Sequence, residues 1–353
     1  MKIALVHDDL IQWGGAEKVL AEISNIFPEA PIYTAISDLK NPHLARNFKG
    51  KKIFTSFLQK LPMHVRLYKA LLPLYPIAFE QFDFSQYDVV LSHTTRFAKS
   101  IITKPETKHI CYIHTPPRFL WNFSGEKSNW LTEFFFSKLR LFDFISSKRV
   151  DYWLAGSKNC QDRLMAAYGV TSKILYPFVD TEKFSPEKSF AGDYYLMVGR
   201  LNKYKQAGLV VKSFLKNGRK LKIAGSGPEL NRLKELAGVN IDVLGSVSDE
   251  LLESLLAGCR GLIIAGEEDF GMTAIEAQAF GKGVICYNRG GVLETVIDGK
   301  TGIYFDKQSV DSINRAVEKF ENTGIEPEEC RKNTLKFSKD IFRQKLKEFV
   351  TVQ

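Results

Sequence analysis

The residues best suited to chemistry lie in one segment, EEDFGMTAIEAQAFG, at positions 267–281. A short apolar run, GLIIAG, precedes this segment, and the pattern predicts a helix that begins near Met272. The amides of Gly271, Met272 and Thr273 would then point out of the helix N-terminus. Backbone amides and the helix dipole favour a phosphate at such a place, and glycine leaves room for its approach. The alternative is an ordinary loop before a helix.

Charged residues near the predicted strand ends have the chemistry to bind the rest of a nucleotide. Glu268 and Glu276 are eight residues apart, and a carboxylate at position 276 can accept hydrogen bonds from a ribose diol. Arg200 follows Gly199 at the end of a predicted strand, and Lys205 comes five residues later. An arginine and a lysine together can neutralise a diphosphate. The alternatives are an acidic loop that complements the helix dipole and two unrelated surface cations.

Glycine-rich turns join predicted strands to helices at two further places. Gly225 and Gly227 belong to the turn GSGPE, and Gly14 and Gly15 precede the first helix. Neither turn has the G-x-G-x-x-G spacing, so a dinucleotide fingerprint is not supported. Taken singly, each turn is as readily explained by chain geometry.

Three histidines end predicted strands of the first half: His7, His93 and His114. His114 is the strongest candidate for a ligand contact, and a structural role is the alternative for all three. No P-loop, no metal-binding D-x-D and no G-x-S-x-G motif is present. The five cysteines include no C-x-x-C pair, which predicts buried or idle thiols and no metal site.

The second half of the chain alternates between apolar runs and helical patterns. Strands are predicted at YYLMVG, LKIAG, IDVLG, GLIIAG, GVICYN and GIYF. Helices are predicted at QAGLVVKSFLKN, PELNRLKELA with proline in its first turn, SDELLESLLAGC, TAIEAQAF and SVDSINRAVEKF. This alternation predicts a parallel sheet covered on both faces, which binds ligands at the carboxyl ends of its strands.

The first half alternates in the same way but less regularly. Strands are predicted at KIALVH, PIYTAI, YDVVLSH, KHICYIH and DYWLAGS, with a helix AEKVLAEISNIF after the first of them. A polar segment with two prolines, residues 177–190, predicts a linker. We therefore expect one domain over residues 1–176 and another over residues 177–336.

The tail of the chain, residues 333–353, has a helical pattern. Its helix, from about residue 337, is expected to return to the first domain. One side of the helix is predicted to carry Leu335, Phe342, Leu346 and Phe349.

The net charge of +9 is unevenly distributed. The segment 39–79, which we call the basic segment, has no acidic residue and carries eight cations: Lys40, Arg46, Lys49, Lys51, Lys52, Lys60, Arg66 and Lys69. It predicts contact with a phosphate or an anionic lipid surface, or else a solvated basic face. No nucleic-acid-binding pattern accompanies it, so nucleic acid is not expected as a partner. We interpret the segment as a long insertion in the strand–helix alternation.

Membrane contact is expected to be peripheral. The N-terminal apolar run is too short for a signal peptide, and no run approaches the ~20 residues of a membrane span. The segment FFFSKLRLFDFISSKR, residues 134–149, predicts an amphipathic helix that either lies on a lipid surface or packs on the core.

Taken together, these segments resemble the family 4 retaining glycosyltransferases. The matching pieces occur in order from residue 14 to about 305: GGAEKVL, HTPPR, AGSKN, YPFVDTEKF, VGRLNKYK, IAGSGPEL, LGSVSDELL, EEDFGMTAIEAQAFGKGVI and GGVLETVIDGKTGIYF. The resemblance implies the GT-B fold, an α/β protein with two Rossmann-like domains that face each other across a cleft. It also implies that the domain over residues 1–176 binds the acceptor and that the domain over residues 177–336 binds the nucleotide-sugar donor. The form of ICYIHTPPRFLW and EEDF is similar to mannosyltransferases of bacterial O-antigen and exopolysaccharide assembly.

The resemblance also implies roles for the candidate residues. Arg200 and Lys205 would bind the donor diphosphate, and Glu276 would bind the ribose. Glu268 would hold the donor sugar and phosphate together with the amides of Phe270, Gly271, Met272 and Thr273.

The other implied roles belong to residues at turns and strand ends. Gly15 would approach the diphosphate from the first domain, Val247 would lie by the base, and His114 would contact the sugar near the reacting carbon. The remaining glycines expected at the nucleotide are Gly14, Gly199, Gly225 and Gly227. The sequence departs from the family pattern at Gln206, where Gly or Arg is commoner, and at 265–267, which replaces a proline-containing turn.

The resemblance implies transfer of a hexose with retention, with mannose from GDP-mannose as the first candidate, to a polyprenyl-pyrophosphate-linked sugar. No cofactor or metal is expected beyond the nucleotide sugar. The enzyme is expected in the cytoplasm, peripherally bound to the anionic inner face of the cell membrane. Two alternatives stay open: a sugar-nucleotide epimerase on the same fold, and a non-catalytic sugar-nucleotide-binding subunit.

Overall fold

The computed structural model describes residues 1–123, 130–184, 189–190 and 192–352. The chain forms two compact units. The first contains Met1–Tyr176 and the C-terminal segment from Phe342, and the second contains Pro177–Ile341. Residues 185–188 of the predicted linker lie outside the described part of the chain.

The first unit is built on a seven-stranded parallel sheet in the order β3-β2-β1-β4-β5-β6-β7. Its strands are β1 Ile3–His7, β2 Ile32–Thr34, β3 Ile53–Thr55, β4 Val89–Thr94, β5 Lys108–Ile113, β6 Tyr152–Ala155 and β7 Lys173–Ile174. The strands of a parallel sheet covered on both faces are buried on both sides, and β4 is buried along its whole length, including its polar residues Ser92, His93 and Thr94.

Helices connect the strands of the first unit: α1 Gly15–Ile26, α2 Pro42–Asn47, α3 His64–Leu67, α4 Tyr75–Glu80, α5 Trp130–Ser147 and α6 Lys158–Tyr168. Three short 3-10 turns add to these: Phe57–Lys60, Leu72–Leu74 and Ala98–Ser100. The predicted first helix is confirmed, although it begins one residue earlier, at Gly15.

The basic segment is not an insertion beside the sheet, and that interpretation was wrong. It supplies β3, the edge strand, which pairs in parallel with β2. Three residues, Ile-Phe-Thr, are too short a run to show a period, so nothing in the sequence marked them as a strand. Its cations differ in exposure: Lys51 donates to the carbonyl of Ser24 at 2.5 Å, whereas Lys60, Arg66 and Lys69 are exposed.

Helix α5 contains residues 134–147 of the predicted segment 134–149 and has two different faces. Phe136 and Leu139 pack on the core of the first unit, and Asp143 is fully buried. The opposite face exposes large apolar side chains, with Trp130 82% and Phe134 56% exposed. The prediction that this helix packs on the core is confirmed for one face, and contact of the exposed face with a lipid surface stays a prediction.

A buried ion pair fastens α5 and α6 to the turn after β4. Lys99 and Asp143, both without exposed side-chain surface, form this pair. Trp121 Nε1 and Tyr168 OH donate to the other carboxylate oxygen of Asp143 at 2.7 and 2.6 Å. The carboxylate is thus fully hydrogen-bonded, which a buried charge requires.

The second unit is built on a six-stranded parallel sheet in the order β10-β9-β8-β11-β12-β13. Its strands are β8 Tyr194–Val198, β9 Lys220–Ala224, β10 Ile241–Gly245, β11 Gly261–Ile264, β12 Gly283–Tyr287 and β13 Gly302–Phe305. All six strands predicted for this half of the chain are confirmed.

The helices of the second unit are α7 Ala207–Asn217, α8 Leu230–Leu236, α9 Asp249–Gly258, α10 Met272–Ala279, α11 Val292–Thr295, α12 Val310–Thr323 and α13 Pro327–Thr334. The predicted N-cap of α9 is confirmed, since Ser248 Oγ accepts from the amide of Leu251 at 3.2 Å. The proline predicted in the first turn of α8 lies outside it. Helix α8 begins only at Leu230, and the amide of Glu229, which precedes it, donates to the carbonyl of Leu201 at 3.0 Å.

The last helix, α14, spans Lys339–Val352 and follows a 3-10 turn, Leu335–Phe337. Phe342 and Leu346 are buried on the first unit, where Phe342 lies against Tyr112 with 6.1 Å between ring centroids. The prediction that Leu335 shares their side is wrong. Leu335 is 60% exposed because the chain leaves the helical path before α14 begins.

Candidate functional site

The second unit places its predicted charged residues at the carboxyl ends of two central strands. Its strand order reverses direction between β8 and β11, and ligands of open parallel sheets bind at such switch points. Arg200 follows β8 after one glycine, and Glu268 follows β11. Lys205 Nζ lies 2.5 Å from Glu268 Oε1, with the two side chains 15% and 16% exposed. The sequence indicated both residues but not this ion pair.

Gly266 allows the loop after β11 to reach the turn that carries Lys205. A Cβ at Gly266 would lie 2.4 Å from the carbonyl oxygen of Tyr204 and 2.7 Å from Lys205 Cα. Those distances are too short for any side chain. The departure from the family pattern at 265–267 therefore has a physical role here, which the sequence alone did not show.

Gly290 and Gly291 support the same loop from the turn after β12. The amide of Gly291 donates to the carbonyl of Glu268 at 2.9 Å, and Gly290 pairs with Glu268 as an isolated bridge. A Cβ at Gly291 would lie 2.2 Å from the carbonyl oxygen of Asp269. These two residues were missed as part of the site, although a glycine pair after a predicted strand is a visible signal.

Helix α10 begins where the sequence predicted, with Met272 as its first residue. Gly271 has a φ of +97°, a conformation that only glycine adopts readily. Met272 and Thr273 are partly exposed at the helix N-terminus, where backbone amides are available to an anion. Phe270 differs from them in that its side chain is 4% exposed and packs edge-on against Phe337. It anchors the loop to the second unit.

Glu276 lies within the first two turns of α10, and its side chain is almost fully buried, with 5% exposed. A buried carboxylate requires hydrogen-bond partners. The sequence indicated this residue from its spacing to Glu268, and its position near the helix N-terminus is favourable for a negative charge.

The glycine turns after β8 and β9 pack directly against each other. A Cβ at Gly225 would lie 1.9 Å from the carbonyl oxygen of Gly199, and one at Gly227 would lie 2.7 Å from the amide nitrogen of Leu201. The amide of Leu201 donates to the carbonyl of Ser226 at 2.8 Å. These glycines therefore bring adjacent strand ends together, which the composition of the turns did not reveal.

Arg200 and Val247 complete the predicted set of the second unit. Arg200 is exposed at the end of β8, and Val247 is partly exposed in the turn after β10. Gln206, the other departure from the family pattern, has a φ of +58° directly before α7. A glycine would adopt that conformation without strain, which explains why glycine is common there in the family.

The first unit places Gly14 and Gly15 at the N-terminus of α1, after β1. A Cβ at Gly14 would lie 3.1 Å from Glu17 Oε2, so the carboxylate faces the glycine turn. Glu17 is 3% exposed, and burial raises the pKa of its carboxyl above the ordinary value. This buried acid was not among the predicted site residues.

The three predicted histidines of the first unit lie together. His7 Nδ1 is 3.0 Å from the carbonyl oxygen of His93, and His93 Nε2 is 2.7 Å from His114 Nε2. His7 and His93 are buried, and His114 is partly exposed. Burial lowers the pKa of His93 well below its ordinary value, and the neighbouring His114 and His7 add to the shift.

Asp8 follows β1 directly and organises the turn after β4. It was not among the predicted site residues. Asp8 accepts hydrogen bonds from the amides of Thr95, Phe97 and Ala98 at 2.7–2.8 Å. Burial alone would raise the pKa of Asp8, but the charge of Arg96 and the amides hold it below its ordinary value. The available signal was the sequence His-Asp-Asp directly after a strand.

All five cysteines are free and buried, as predicted, and burial raises the pKa of Cys111 and Cys259 to about 12. Within the described ranges, no group of three or more His, Cys, Asp or Glu side chains is arranged to hold a metal ion. Among the same residues, no helix is long and apolar enough to cross a membrane.

Relatives of known activity are similar in sequence to different shares of the chain. A GDP-mannose-dependent α-(1-6)-phosphatidylinositol monomannoside mannosyltransferase from Mycolicibacterium smegmatis is 31% identical over 195 residues, which is 46% of this chain and 50% of that protein. The chain thus matches about half the length of this relative. The α-1,3/1,6-mannosyltransferase ALG2 of Dictyostelium discoideum is 24% identical over 92% of this chain and 90% of its own length.

Solved structures share the fold. Anabaena Alr3699/HepE in complex with UDP and glucose superposes with a TM-score of 0.75 at 17% identity, over 100% of both chains. WaaG, a glycosyltransferase involved in lipopolysaccharide biosynthesis, superposes with a TM-score of 0.71 at 12% identity, over 99% of both chains.

Two family models match the chain in succession. Glycosyltransferase Family 4 matches residues 13–183, and Glycosyl transferases group 1 matches residues 179–337. The first match covers most of the first unit, and the second covers most of the second unit. The chain therefore belongs to the family 4 glycosyltransferases and is a glycosyltransferase with two Rossmann-like domains of the GT-B fold.

Proposed function

We propose that the enzyme transfers a hexose, with retention, from a nucleoside diphosphate sugar to a lipid-linked glycan in cell-surface polysaccharide synthesis. The observation that carries this proposal is the position of Lys205 and Glu268 at the switch point beside the N-terminus of α10. Mannose from GDP-mannose is the first donor to test, because one relative is GDP-mannose-dependent and another is named a mannosyltransferase.

The donor diphosphate would be bound by positive charge at the strand ends of the second unit. The leaving group gains negative charge as the glycosidic bond breaks, so Arg200, Lys205 and the first amides of α10 stabilise the transition state more than the ground state. Glu268 orients Lys205 through their ion pair and helps to hold the sugar. Glu276 would bind the ribose.

The remaining donor contacts are assigned in the same way. Val247 would lie by the base, Gly15 would approach the diphosphate from the first unit, and His114 would contact the sugar. The residues of this site supply the charge stabilisation, and the proposal includes no cofactor or metal beyond the nucleotide sugar.

The chemical step requires no protein nucleophile. The bond between the anomeric carbon and the diphosphate oxygen breaks, and a bond to the acceptor hydroxyl oxygen forms on the same face of the sugar. The hydroxyl proton passes to the departing phosphate oxygen. The ion pair with Lys205 supports this assignment, because it occupies one oxygen of the Glu268 carboxylate.

The acceptor is proposed to be a polyprenyl-pyrophosphate-linked sugar at the anionic inner face of the cell membrane, to which the cytoplasmic enzyme binds peripherally. Helix α5 supports a docking surface through the exposed side chains of Trp130, Phe134, Phe135, Leu141 and Ile145. Lys138 lies on the same helix and is exposed. Apolar side chains with flanking lysines are typical of helices that lie in a lipid interface.

The basic segment adds a second group of exposed residues on the first unit. Met63, Leu67 and Ile77 are 62%, 42% and 58% exposed, and the cations Lys60, Arg66 and Lys69 lie beside them in the sequence. Each cation near an anionic membrane adds about 1 kcal/mol of attraction. The same cations would equally suit the pyrophosphate of the acceptor.

The test of the chemistry is transfer of radiolabel from a panel of nucleotide sugars into butanol-extractable lipid. We expect label from GDP-mannose in the lipid fraction and an α-linked product. A soluble isomer of the donor without lipid product would indicate an epimerase. Donor binding without turnover would indicate a sugar-nucleotide-binding subunit.

The test of the docking surface is flotation with liposomes that contain or lack anionic lipid. We expect binding that weakens with salt and with the double change Trp130→Ser and Phe134→Ser. The matched control is Val239→Ser, which removes an exposed apolar side chain from the second unit. Binding that is indifferent to salt and anionic lipid would contradict membrane docking. Normal flotation with loss of transfer after changes in the basic segment would assign its cations to the acceptor phosphate.

A further inference from the structure

A ladder of rings crosses three neighbouring strands of the first sheet. His7 on β1 pairs in register with His93 on β4, which pairs with Tyr112 on β5. The rings stack with centroids 5.0 and 5.5 Å apart and interplanar angles of 16° and 17°. His114, two residues beyond Tyr112, meets the His93 ring edge-on at 4.8 Å. The ladder therefore connects two buried imidazoles to the partly exposed residue proposed to contact the sugar.

The contacts of His7 and His93 determine where their protons lie. A carbonyl oxygen only accepts hydrogen bonds, so the 3.0 Å contact of His7 Nδ1 with the carbonyl of His93 requires a proton on His7 Nδ1. That N–H also faces His93 Nδ1, and the two nitrogens are 3.1 Å apart. Because two N–H groups would repel each other at this distance, His93 Nδ1 is the unprotonated nitrogen of His93. A neutral imidazole carries one proton, so His93 carries its proton on Nε2.

His114 is the next residue in this chain of contacts. His93 Nε2 lies 2.7 Å from His114 Nε2, so His93 donates and His114 Nε2 accepts. A second proton on His114 would lie on Nε2 and face the proton of His93, so the contact favours neutral His114 with its proton on Nδ1. Burial lowers the pKa of His93. A second proton on His93, which would replace its acceptor nitrogen Nδ1 by a donor, is therefore disfavoured.

We propose that His93 is a positioning residue that fixes His114 as the Nδ1-protonated tautomer, so that His114 donates a hydrogen bond to a sugar oxygen. In this state His114 Nε2 is occupied by His93 and does not take the proton of the acceptor hydroxyl. The inference rests on the proposed function, in which His114 contacts the donor sugar. It agrees with a step in which the departing phosphate oxygen takes that proton.

The direct test is a long-range 1H–15N spectrum of the full chain labelled with 15N at histidine. Loss of one set of signals in His114→Asn identifies His114. We expect a protonated Nδ1 and an unprotonated Nε2 in the wild type. A His114 protonated at Nε2 would overturn the inference, whatever the enzyme transfers. This measurement needs no variant at His93, so it decides the question even if such a variant fails to fold.

Variants at His93 separate positioning from a purely structural role. His93→Leu removes the donor, and we expect His114 to shift toward the Nε2-protonated tautomer with kcat lowered about tenfold or more, while the KM for donor stays near that of the wild type. His93→Gln keeps an N–H donor and should restore both the tautomer and most of kcat. Unchanged kcat and an unchanged tautomer in His93→Leu would overturn the inference.

The matched control is His109→Gln, which changes another buried imidazole on β5. His109 contacts Ser92 Oγ and the carbonyl of Arg149 at 2.8 and 3.1 Å and belongs to a different set of contacts. We expect this variant to leave the His114 tautomer unchanged. If the wild type transferred no sugar from any donor, the proposed function would fail while the tautomer measurement would still stand.

Discussion

The ion pair of Lys205 and Glu268 depends on a residue without a functional group. Gly266 packs against the backbone of the turn that carries Lys205, and a methyl group there would lie 2.4 Å from the carbonyl oxygen of Tyr204. We expect Gly266→Ala to displace Lys205 and lower kcat by about 100-fold, since a misplacement of about 1 Å has that effect. Steady-state kinetics of sugar transfer measure the kcat of this variant.

The control for this change is Gly218→Ala. Gly218 ends α7 with a φ of +71° and has open space around its Cα. The substitution should lower the free energy of unfolding by about 1 kcal/mol without changing kcat. Wild-type kcat in Gly266→Ala would show that the position of Lys205 does not limit turnover.

Gln206 holds a strained conformation that a smaller residue would relieve. Its φ of +58° is unfavourable for any residue with a Cβ. We expect Gln206→Gly to raise the free energy of unfolding by about 0.5–1 kcal/mol, measured by urea denaturation. Gln206→Ala is the matched control, because it keeps the Cβ and the strain. Equal stability of the Gly and Ala variants would mean that the backbone is not strained there.

Much of what the sequence could predict about this site concerns residue types rather than contacts. Glu268, Gly271 and Glu276 were predictable because they share one segment whose spacing a helix fixes. The contact between Lys205 and Glu268 joins residues 63 positions apart, and local spacing carries no information about such a distance. The close approach of Gly266 to the turn that carries Lys205 could not be predicted for the same reason.

At the scale of elements, the buried pair of Lys99 and Asp143 joins the turn after β4 to α5. We expect Lys99→Met to lower the free energy of unfolding by about 3–5 kcal/mol, because it leaves the Asp143 charge buried without its partner. Chemical denaturation measures the change. Lys158→Met removes an exposed ion pair with Asp162 and should change stability by less than about 1 kcal/mol. Similar losses in the two variants would contradict the role assigned to the buried pair.

The elements that the sequence predicted are those with long apolar runs or clear periods. All six strands of the second unit follow from such runs. Strands β3 and β7 have only three and two residues, and sheet pairing rather than local pattern determines them. The tail was misjudged at Leu335 because a 3-10 turn interrupts a helical pattern that looks continuous in the sequence.

At the scale of the whole molecule, buried neutral histidines make stability depend on pH. Burial lowers the pKa of His109 to about 4 and also lowers that of His93, whereas a histidine in the unfolded chain has a pKa of about 6.5. Unfolding therefore takes up protons below about pH 6.5, and stability falls as the pH falls from there toward 4.

Each of these histidines contributes a slope of up to about 1.4 kcal/mol per pH unit in that window. We expect His109→Gln to reduce the slope of unfolding free energy between pH 6.5 and 5, measured by urea denaturation at each pH. The carboxylates titrate alike in the wild type and in His109→Gln, so their contributions to the two slopes cancel in the comparison. An identical slope in the variant would contradict the neutral state of His109.

The most direct test of the proposed stabilisation of the leaving diphosphate is the kcat of Arg200→Ala compared with that of Lys203→Ala. Both residues are exposed cations near the end of β8, but only Arg200 is assigned to the donor diphosphate. We expect Arg200→Ala to raise the barrier by about 2–4 kcal/mol, a loss of about 30- to 1000-fold in kcat, while Lys203→Ala keeps wild-type turnover. Undiminished turnover in Arg200→Ala would contradict stabilisation of the leaving diphosphate at this switch point.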